Sequence, residues 1–260
     1  MSKHAGEHDM SSTIRTILKE DETLDSLACE NLHVLQKKQG YRYSLDAYLL
    51  AASVQEAPGT RVIDIGSGSG VVSILLAAVK GLRVTGVEIQ DDMADMSRRS
   101  VELAGLQDRV EIECADIRQY RGVKFDVVVS NPPFRPVRTG RINPDPGRAV
   151  ARHEISLDLE TLLTCSYDLL NPGGRFYVVY PAWRLPDLIS SMRSKRIEPK
   201  RLLFVHSTPS SSAEICLVGG LRDGGRELNV CRPLFVFTHE GMHTPEMQKV
   251  FQELELPKSH

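Results

Sequence analysis

The stretch Arg61-Val62-Ile63-Asp64-Ile65-Gly66-Ser67-Gly68-Ser69-Gly70 decides the fold. Its first five residues predict a buried strand, and residues 71–79 predict a helix. The glycines between them allow a sharp turn and let a ligand come close to the backbone. Their spacing is G-x-G-x-G, whereas the dinucleotide fingerprint would need a glycine where this chain has Val71. We therefore expect a ligand-binding βα turn, and a nicotinamide oxidoreductase is disfavoured.

Strand and helix patterns alternate along the chain from this turn. Further strands are predicted at 83–89, 110–114, 125–130 and 175–180, and helices at 45–55, 91–104, 157–170 and 185–196. Three late strands, at 200–206, 214–219 and 234–238, have no long helices between them. Alternation followed by terminal hairpins predicts an α/β fold whose mostly parallel sheet has an antiparallel edge strand.

The expected organisation is one main domain between two short flanking segments. Residues 1–29 form a partly disordered N-terminal segment with a short helix at 13–19. The main domain covers residues 30–240 and begins with a hairpin at 32–43 around Gln39-Gly40. Residues 241–260 form a tail with a short helix at 244–254.

Composition narrows the class of protein. The 260 residues are 41% hydrophobic and 25% charged, as in an ordinary globular protein. No apolar stretch is long enough to span a bilayer, and the polar N-terminus has no secretory signal. Five cysteines without a Cys-x-x-Cys pair predict reduced thiols in a cytoplasmic protein. With a net charge of −2, a nucleic acid would have to be met by a local basic patch.

Two acidic residues follow the next two strands. Glu88 ends its strand 18 residues beyond Gly70, where a carboxylate can accept both hydroxyls of a ribose. Asp116 could accept an adenine amino hydrogen while Ile117 lies against the ring; a helix cap for residues 117–120 is nearly as good an interpretation. Together with the glycine turn, these residues predict an adenosyl-type ligand across the ends of three strands.

The segment Ser130-Asn131-Pro132-Pro133-Phe134 closes the apolar strand 125–130. A central strand cannot accept two prolines, and each fixes its own φ and biases the preceding residue towards extended geometry. The Asn131 amide and the Pro132 carbonyl are thus expected to be held stiffly at the carboxyl end of a strand, where open α/β sheets bind ligands. Two fixed acceptors beside an aromatic ring suit a flat, NH2-bearing group.

These motifs resemble those of class I S-adenosylmethionine-dependent methyltransferases, and Asn-Pro-Pro-Phe resembles the motif of their amino-group branch. Residues 39–47, Gln-Gly-Tyr-Arg-Tyr-Ser-Leu-Asp-Ala, resemble a cofactor-covering stretch of the bacterial transfer-RNA adenine-N6 methyltransferases. The resemblance covers roughly residues 30–240 and implies a Rossmann-like, seven-stranded sheet with helices on both faces. It implies S-adenosylmethionine as cofactor, RNA as partner, and adenine N6 in tRNA as acceptor. The implied cofactor-binding residues are Tyr43, Asp46, Asp64, Gly66, Gly68, Gly70, Glu88, Asp116, Ile117 and Asn131.

The residue types fit this chemistry. Asn131 and the Pro132 carbonyl can hold the two hydrogens of a poorly nucleophilic NH2 and aim its nitrogen at an activated methyl group. Pro133 stiffens the segment, and Phe134 would stack on the base; these four residues form the predicted catalytic set. The family pattern more often has tyrosine at Phe134, and phenylalanine there also occurs in guanine-N2 methyltransferases of ribosomal RNA. A protein-glutamine methyltransferase and a non-catalytic RNA-binding module remain alternatives.

Two further segments bear on partners. The loop after the motif contains Arg135, Arg138, Arg141, Arg148 and Arg152 against a single acid, and arginines beside a base pocket would grip RNA phosphates. A solvated basic loop is an equally weighted alternative.

The zinc motif H-E-x-x-H occurs at His239-Glu240-Gly241-Met242-His243, and it can bind zinc only when it lies on a helix. It contains a glycine and runs into Thr244-Pro245, so we predict a turn and expect no metal.

Overall fold

A nine-stranded sheet forms the centre of the molecule in the computed structural model, which describes residues 18–29, 32–39, 42–132 and 157–257. Outside it, β1 (Glu22–Ser26) and β2 (His33–Lys37) form a separate antiparallel hairpin. The sheet strands are β3 (Arg61–Ile65), β4 (Arg83–Glu88), β5 (Val110–Cys114), β6 (Phe125–Ser130), β7 (Leu170–Pro181), β8 (Ile197–His206), β9 (Ala213–Arg222), β10 (Asn229–Val230) and β11 (Leu234–Phe235). Their order is β10-β8-β9-β7-β6-β3-β4-β5, with β11 also paired to β8.

Helices cover both faces of the sheet. They are α1 (Leu45–Ser53), α2 (Val71–Lys80), α3 (Asp91–Leu103), α4 (Leu159–Leu169), α5 (Leu185–Ser194) and α6 (Pro245–Glu253). Apolar residues of α1, α2, α3 and α6 pack in one cluster, and those of α4 and α5 pack in another. Adjacent residues of a strand serve opposite faces: Val62 belongs to the first cluster and Ile63 to the second. The predicted α/β fold with a mostly parallel sheet is confirmed.

The antiparallel strand lies inside the sheet, two places from the edge at which the sequence predicts it. It is β9, which pairs antiparallel with β7 on one side and with β8 on the other. The edge is instead extended by β10 and β11, two short strands that run parallel to β8. The long β8–β9 hairpin brings β9 back between its two neighbours, an arrangement that strand patterns alone do not specify.

The N-terminal hairpin differs from the prediction, which was wrong about its partners. Strand β1 pairs with β2 in the register Glu22 to Lys37, so the connection lies at 27–32 and not at Gln39-Gly40. Glu22 is buried, and its carboxylate receives two hydrogen bonds of 2.7 Å from the Arg99 guanidinium of α3. This ion pair fastens β1 to the main domain, although β1 falls in the segment expected to be partly disordered. The helix expected at 13–19 lies largely outside the described residues.

Candidate active site

A crevice of about 940 Å³ opens at the carboxyl ends of β3, β4, β5 and β6. Strand β3 has β4 on one side and β6 on the other, so the strand order reverses here: the chain runs outward from β3 to β4 and β5, and then crosses back to β6. Open α/β sheets bind ligands at such a switch point. The volume falls in the usual range for small-molecule sites.

The glycine turn after β3 forms the floor of the crevice. Gly66 and Gly68 both line it, with φ of +74° and +57°, a region that favours glycine. A Cβ added to Gly66 would have no heavy atom within 4 Å, so the space above it is open. The Gly66 amide donates to the Val87 carbonyl at 2.9 Å, which ties the turn to β4. The turn thus presents a bare backbone surface to a ligand.

Gly70 has a different neighbourhood. It is the N-cap of α2 with φ +81°, and it is absent from the crevice lining. A Cβ there would lie 2.1 Å from Ser97 Oγ and 3.2 Å from Ser97 Cβ, on α3. The structure therefore places this glycine at a helix–helix contact, and its absent side chain lets α2 and α3 approach.

We expect Gly70→Ala to destabilise the protein by about 2–4 kcal/mol, because overpacking adds to the cost of left-handed geometry. Gly105→Ala is the matched control. Gly105 also has a positive φ, of +64°, but a Cβ there would meet nothing within 4 Å, so a loss of only about 1 kcal/mol is expected. Urea denaturation of both variants measures the difference, and equal losses would contradict the packing role.

Glu88 lies where β4 ends, and its side chain is held rigidly. The residue is 5% exposed and lines the crevice. Its Oε2 accepts the Gly68 amide at 2.9 Å, and its Oε1 accepts the Gln90 amide at 2.9 Å. Oε2 keeps a lone pair for a hydroxyl hydrogen. On Oε1, a ligand hydroxyl would replace the longer bond of 3.3 Å that the Gln90 side-chain amide donates. The geometry fits a rigid acceptor for the two hydroxyls of a ribose.

Asp116 serves as a helix cap at the end of β5, and it also lines the crevice. Its Oδ1 accepts the Arg118 amide at 2.9 Å, which caps the short 3-10 helix Ile117–Gln119. The hydrogen-bonded Arg118 guanidinium also lowers the pKa of this carboxyl. Both interpretations made from the sequence are therefore compatible with its position. Ile117 is buried and lines the crevice. Ile89, which the sequence analysis did not single out, lines the crevice as well but is 37% exposed.

Asp64 is buried beneath the turn. It is 2% exposed, and it accepts a hydrogen bond of 2.8 Å from the Ser73 hydroxyl. Desolvation raises its pKa to about 7; the Ser73 bond opposes this rise and the Glu88 charge adds to it. Asp64 also lines the crevice. A carboxyl in this environment favours a cationic ligand once it is ionised.

This pKa gives a defined dependence of stability on pH. Because the folded pKa exceeds the ordinary value of 3.8, the folded state binds more protons between these values. Asp64 therefore stabilises the ligand-free protein at low pH, and this contribution is lost as pH rises to about 7. The wild type should lose up to about 1.4 kcal/mol per pH unit more than Asp64→Asn in this window. Denaturant titrations from pH 4 to 8 test this, and parallel curves would contradict it.

Asn131 and Pro132 both line the crevice at the end of β6. The preceding residue, Ser130, is fully buried, and its hydroxyl donates to the Ile65 carbonyl at 2.9 Å. Ile65 and Ser130 are also paired in the parallel β3–β6 register. The end of β6 is thus fixed against the start of the glycine turn. Asn131 follows directly, so its position relative to that turn is fixed by the sheet.

One wall of the crevice comes from the N-terminal part of the chain. Tyr43 and Asp46 line the crevice near the start of α1, and burial raises the pKa of both side chains. Gln36 on β2, which the sequence analysis missed, is 1% exposed. Its amide donates to Ser69 Oγ at 2.6 Å, and its Oε1 accepts the Tyr43 amide at 3.0 Å. Gln36 therefore connects the hairpin, the glycine turn and this wall, and no short motif signals that role.

Several predicted residues lie outside the described residues. They are Pro133 and Phe134 of the motif and the loop arginines Arg135, Arg138, Arg141, Arg148 and Arg152. The segment 239–243 forms a turn with Gly241 at φ +81°, as predicted. Across residues 18–29, 32–39, 42–132 and 157–257, no group of three or more His, Cys, Asp or Glu is arranged to hold a metal ion. In the same ranges, no helix combines the length and apolarity needed to cross a membrane.

The charge of the crevice discriminates between ligands. Seven carboxylate side chains line it, against three cationic ones: Asp21, Asp46, Asp64, Glu88, Asp92, Asp116 and Asp158, with Lys37, Arg42 and Arg118. A diphosphate-bearing dinucleotide would meet an excess of like charge here. A nucleoside that carries a positive charge, such as the sulfonium of S-adenosylmethionine, is favoured. The open glycine floor and the buried Glu88 fit its adenosine part.

An α/β sheet with a crevice suited to a cationic nucleoside defines the class of S-adenosylmethionine-dependent methyltransferases. The chain belongs to the methyltransferase small domain family, whose sequence model matches residues 43–183. A protein of Phocaeicola vulgatus is 31% identical over 175 residues, which are 66% of this chain and 74% of the relative. A Porphyromonas gingivalis protein is 34% identical over 65% of this chain and 69% of its own length. Both carry the name tRNA1(Val) (adenine(37)-N6)-methyltransferase. The resemblance drawn from the motifs is confirmed.

Solved structures support the fold. A predicted O-methyltransferase of Agrobacterium tumefaciens superposes with a TM-score of 0.66 at 22% identity, covering 83% of this chain and 99% of that one. Geranyl diphosphate C-methyltransferase of Streptomyces coelicolor, solved with S-adenosyl-L-homocysteine, has a TM-score of 0.51 at 14% identity, over 68% and 76% of the two chains. These likenesses concern the class I fold and not the acceptor.

Proposed function

We propose that this enzyme transfers the methyl group of S-adenosylmethionine to the exocyclic N6 of an adenine in transfer RNA. The observation that carries the proposal is the position of Asn131 and Pro132. They lie at the end of the central strand β6 and line the same crevice as Glu88 and the glycine turn. An amine held at Asn131 would lie beside the proposed cofactor region.

The relatives support the choice of acceptor. Their names specify N6 of adenine 37 in tRNA1(Val), so we propose adenine 37, the nucleotide next to the anticodon, as the target. A tRNA substrate also agrees with the cytoplasmic location expected from the cysteine pattern.

The proposed mechanism assigns positioning roles to the residues of the crevice. The cofactor supplies an electrophilic methyl group on a sulfonium. Glu88 would hold the ribose, and Ile89 and Ile117 would flank the adenine of the cofactor. The Asn131 side-chain oxygen and the Pro132 carbonyl would accept the two hydrogens of the target NH2, aim its nitrogen, and stabilise the positive charge that develops there. The target base must leave its stack to reach this depth.

Nucleoside mass spectrometry tests the proposal. The purified full chain is incubated with S-adenosylmethionine and with separate pools of unmodified tRNA, ribosomal RNA and cell protein. We expect N6-methyladenosine in the tRNA pool only. N2-methylguanosine in ribosomal RNA would replace the proposed acceptor by the guanine alternative, and RNase-resistant incorporation into protein would replace it by glutamine.

A further inference from the structure

Trp183 is the only tryptophan of the chain, and it lies exposed just beyond the carboxyl end of β7, the strand that pairs with β6. Its exposed fraction is 71%, which is high for so large an apolar side chain. It belongs to the short 3-10 helix Ala182–Arg184, which directly follows β7. Strand β7 runs parallel to β6, so Trp183 is at the same edge of the sheet as Asn131.

The strand register sets the scale of the separation. Ser130 of β6 pairs with Val178 of β7, and Pro181 therefore extends about two residues beyond Asn131 along the strand direction. With about 3.3 Å per residue and about 4.8 Å between strands, the Trp183 backbone lies on the order of 10–15 Å from Asn131. Successive stacked bases are about 3.4 Å apart. The distance therefore corresponds to a few nucleotides of a single strand.

The side of the crevice is also informative. The glycine turn, Glu88 and Asp116 lie at the carboxyl ends of β3, β4 and β5, respectively. All three strands are on the same side of β6, so the cofactor region lies on that side. Strand β7 lies on the other side. An RNA that approaches from the β7 side can therefore deliver a base to Asn131 without crossing the cofactor region.

Arg184 supports the exposed ring from the protein side. Its guanidinium carbon lies 5.8 Å from the centre of the Trp183 ring and 5.1 Å from that of Tyr180, which is buried. Arg184 Nε also lies 3.4 Å from a carboxylate oxygen of Asp187. A ring placed against an anchored guanidinium is partly preorganised, while most of its surface stays in water. Large exposed aromatic rings next to positive charge are the platforms on which unpaired bases stack.

We propose that Trp183 is a substrate-positioning residue on which an unpaired base of the tRNA, a few nucleotides from the target adenine, stacks during binding. This inference rests on the proposed function, and it adds a second contact that the family motifs do not contain. The stacked base would hold the anticodon loop open while the target adenine enters the crevice.

Variants of the full-length enzyme test this. Trp183→Ala should raise the Kd and the KM for tRNA about tenfold, with kcat and the KM for S-adenosylmethionine changed less than about threefold. Trp183→Phe should restore most of the affinity because it keeps a ring. Val123→Ala is the matched control: Val123 is 58% exposed, but it precedes β6 and so lies at the opposite sheet edge.

Two readouts separate stacking from a structural role. The single tryptophan makes intrinsic fluorescence specific, so titration with tRNA should quench it, and an RNA duplex without unpaired bases should not. Since indole carries no charge, Trp183→Ala should weaken tRNA binding by the same factor at every salt concentration. A change in the salt slope, or quenching by duplex RNA, would contradict stacking.

The outcomes distinguish this inference from the proposed function. If wild type methylates tRNA and Trp183→Ala binds it with unchanged Kd, the stacking role is wrong and the function stands. If wild type neither binds nor methylates tRNA, both are wrong. If Trp183→Ala instead raises the KM for a protein acceptor, the surface serves a polypeptide and the RNA platform is refuted.

Discussion

Replacing Asn131 by alanine is expected to lower kcat for tRNA methylation by roughly 100-fold to 1000-fold. The amide oxygen would accept one hydrogen of the target NH2, and losing one preorganised group of this kind typically costs a factor of that order. The backbone that leads into Asn131 is fixed by the β3–β6 register and by the Ser130 hydroxyl bond to Ile65, so the position of this group is set before the substrate binds. Single-turnover transfer of labelled methyl to tRNA measures the effect.

Asn171→Ala is the matched control for this prediction. The Asn171 amide donates to Asp126 at 2.8 Å near the start of β6, at the opposite edge of the sheet. We expect its methyl transfer to match the wild type. The Kd values for tRNA and S-adenosylmethionine should change less than about threefold in Asn131→Ala, because its role is to orient the acceptor. Unchanged transfer by Asn131→Ala would refute its assignment as the acceptor-holding residue.

Local features of the sequence sufficed for the strands that build the site. The bounds of β3, β5 and β6 agree with the prediction. The apolar runs of β3 and β6 are followed by local breakers, Gly66 and Pro132, and β5 alternates between apolar and acidic residues. The positions of Glu88 and Asn131 then followed, since the carboxyl ends of adjacent parallel strands meet at one edge.

Features that depend on distant partners were not predictable in this way. The β1 strand is fastened by an ion pair between Glu22 and Arg99, 77 residues apart, and no local pattern specifies such a pair. Gly70 was assigned to the ligand from its spacing, but its close neighbour is Ser97 on another helix. Gln36 reaches the site only through the packing of the N-terminal hairpin on the glycine turn. Ile89 follows Glu88 directly, but isoleucine is so common in and beside strands that its type gives no signal of a binding role.

Replacing Glu88 by glutamine is expected to weaken S-adenosylmethionine binding by at least about 100-fold. A carboxylate that accepts two hydroxyl hydrogens contributes about 1.5–3 kcal/mol per charged hydrogen bond, and the variant loses the charge and one acceptor. The amide NH2 also conflicts with the site, since the Gly68 and Gln90 amides already donate to the two carboxylate oxygens. One of these backbone donors would face another donor, which disturbs the glycine turn as well.

Asp92→Asn provides the control for Glu88, because Asp92 lines the same crevice but its side chain is 62% exposed and lies 3.5 Å from Lys37 Nζ. Its Kd should change less than about threefold, since an exposed charge is largely screened by solvent. Calorimetric titration with S-adenosylmethionine and with S-adenosylhomocysteine measures both variants. The two ligands share the ribose and differ in the sulfonium charge, so Glu88→Gln should weaken both by a similar factor. A loss confined to the charged ligand would mean that Glu88 acts through its charge on the sulfonium, and the ribose assignment would be wrong.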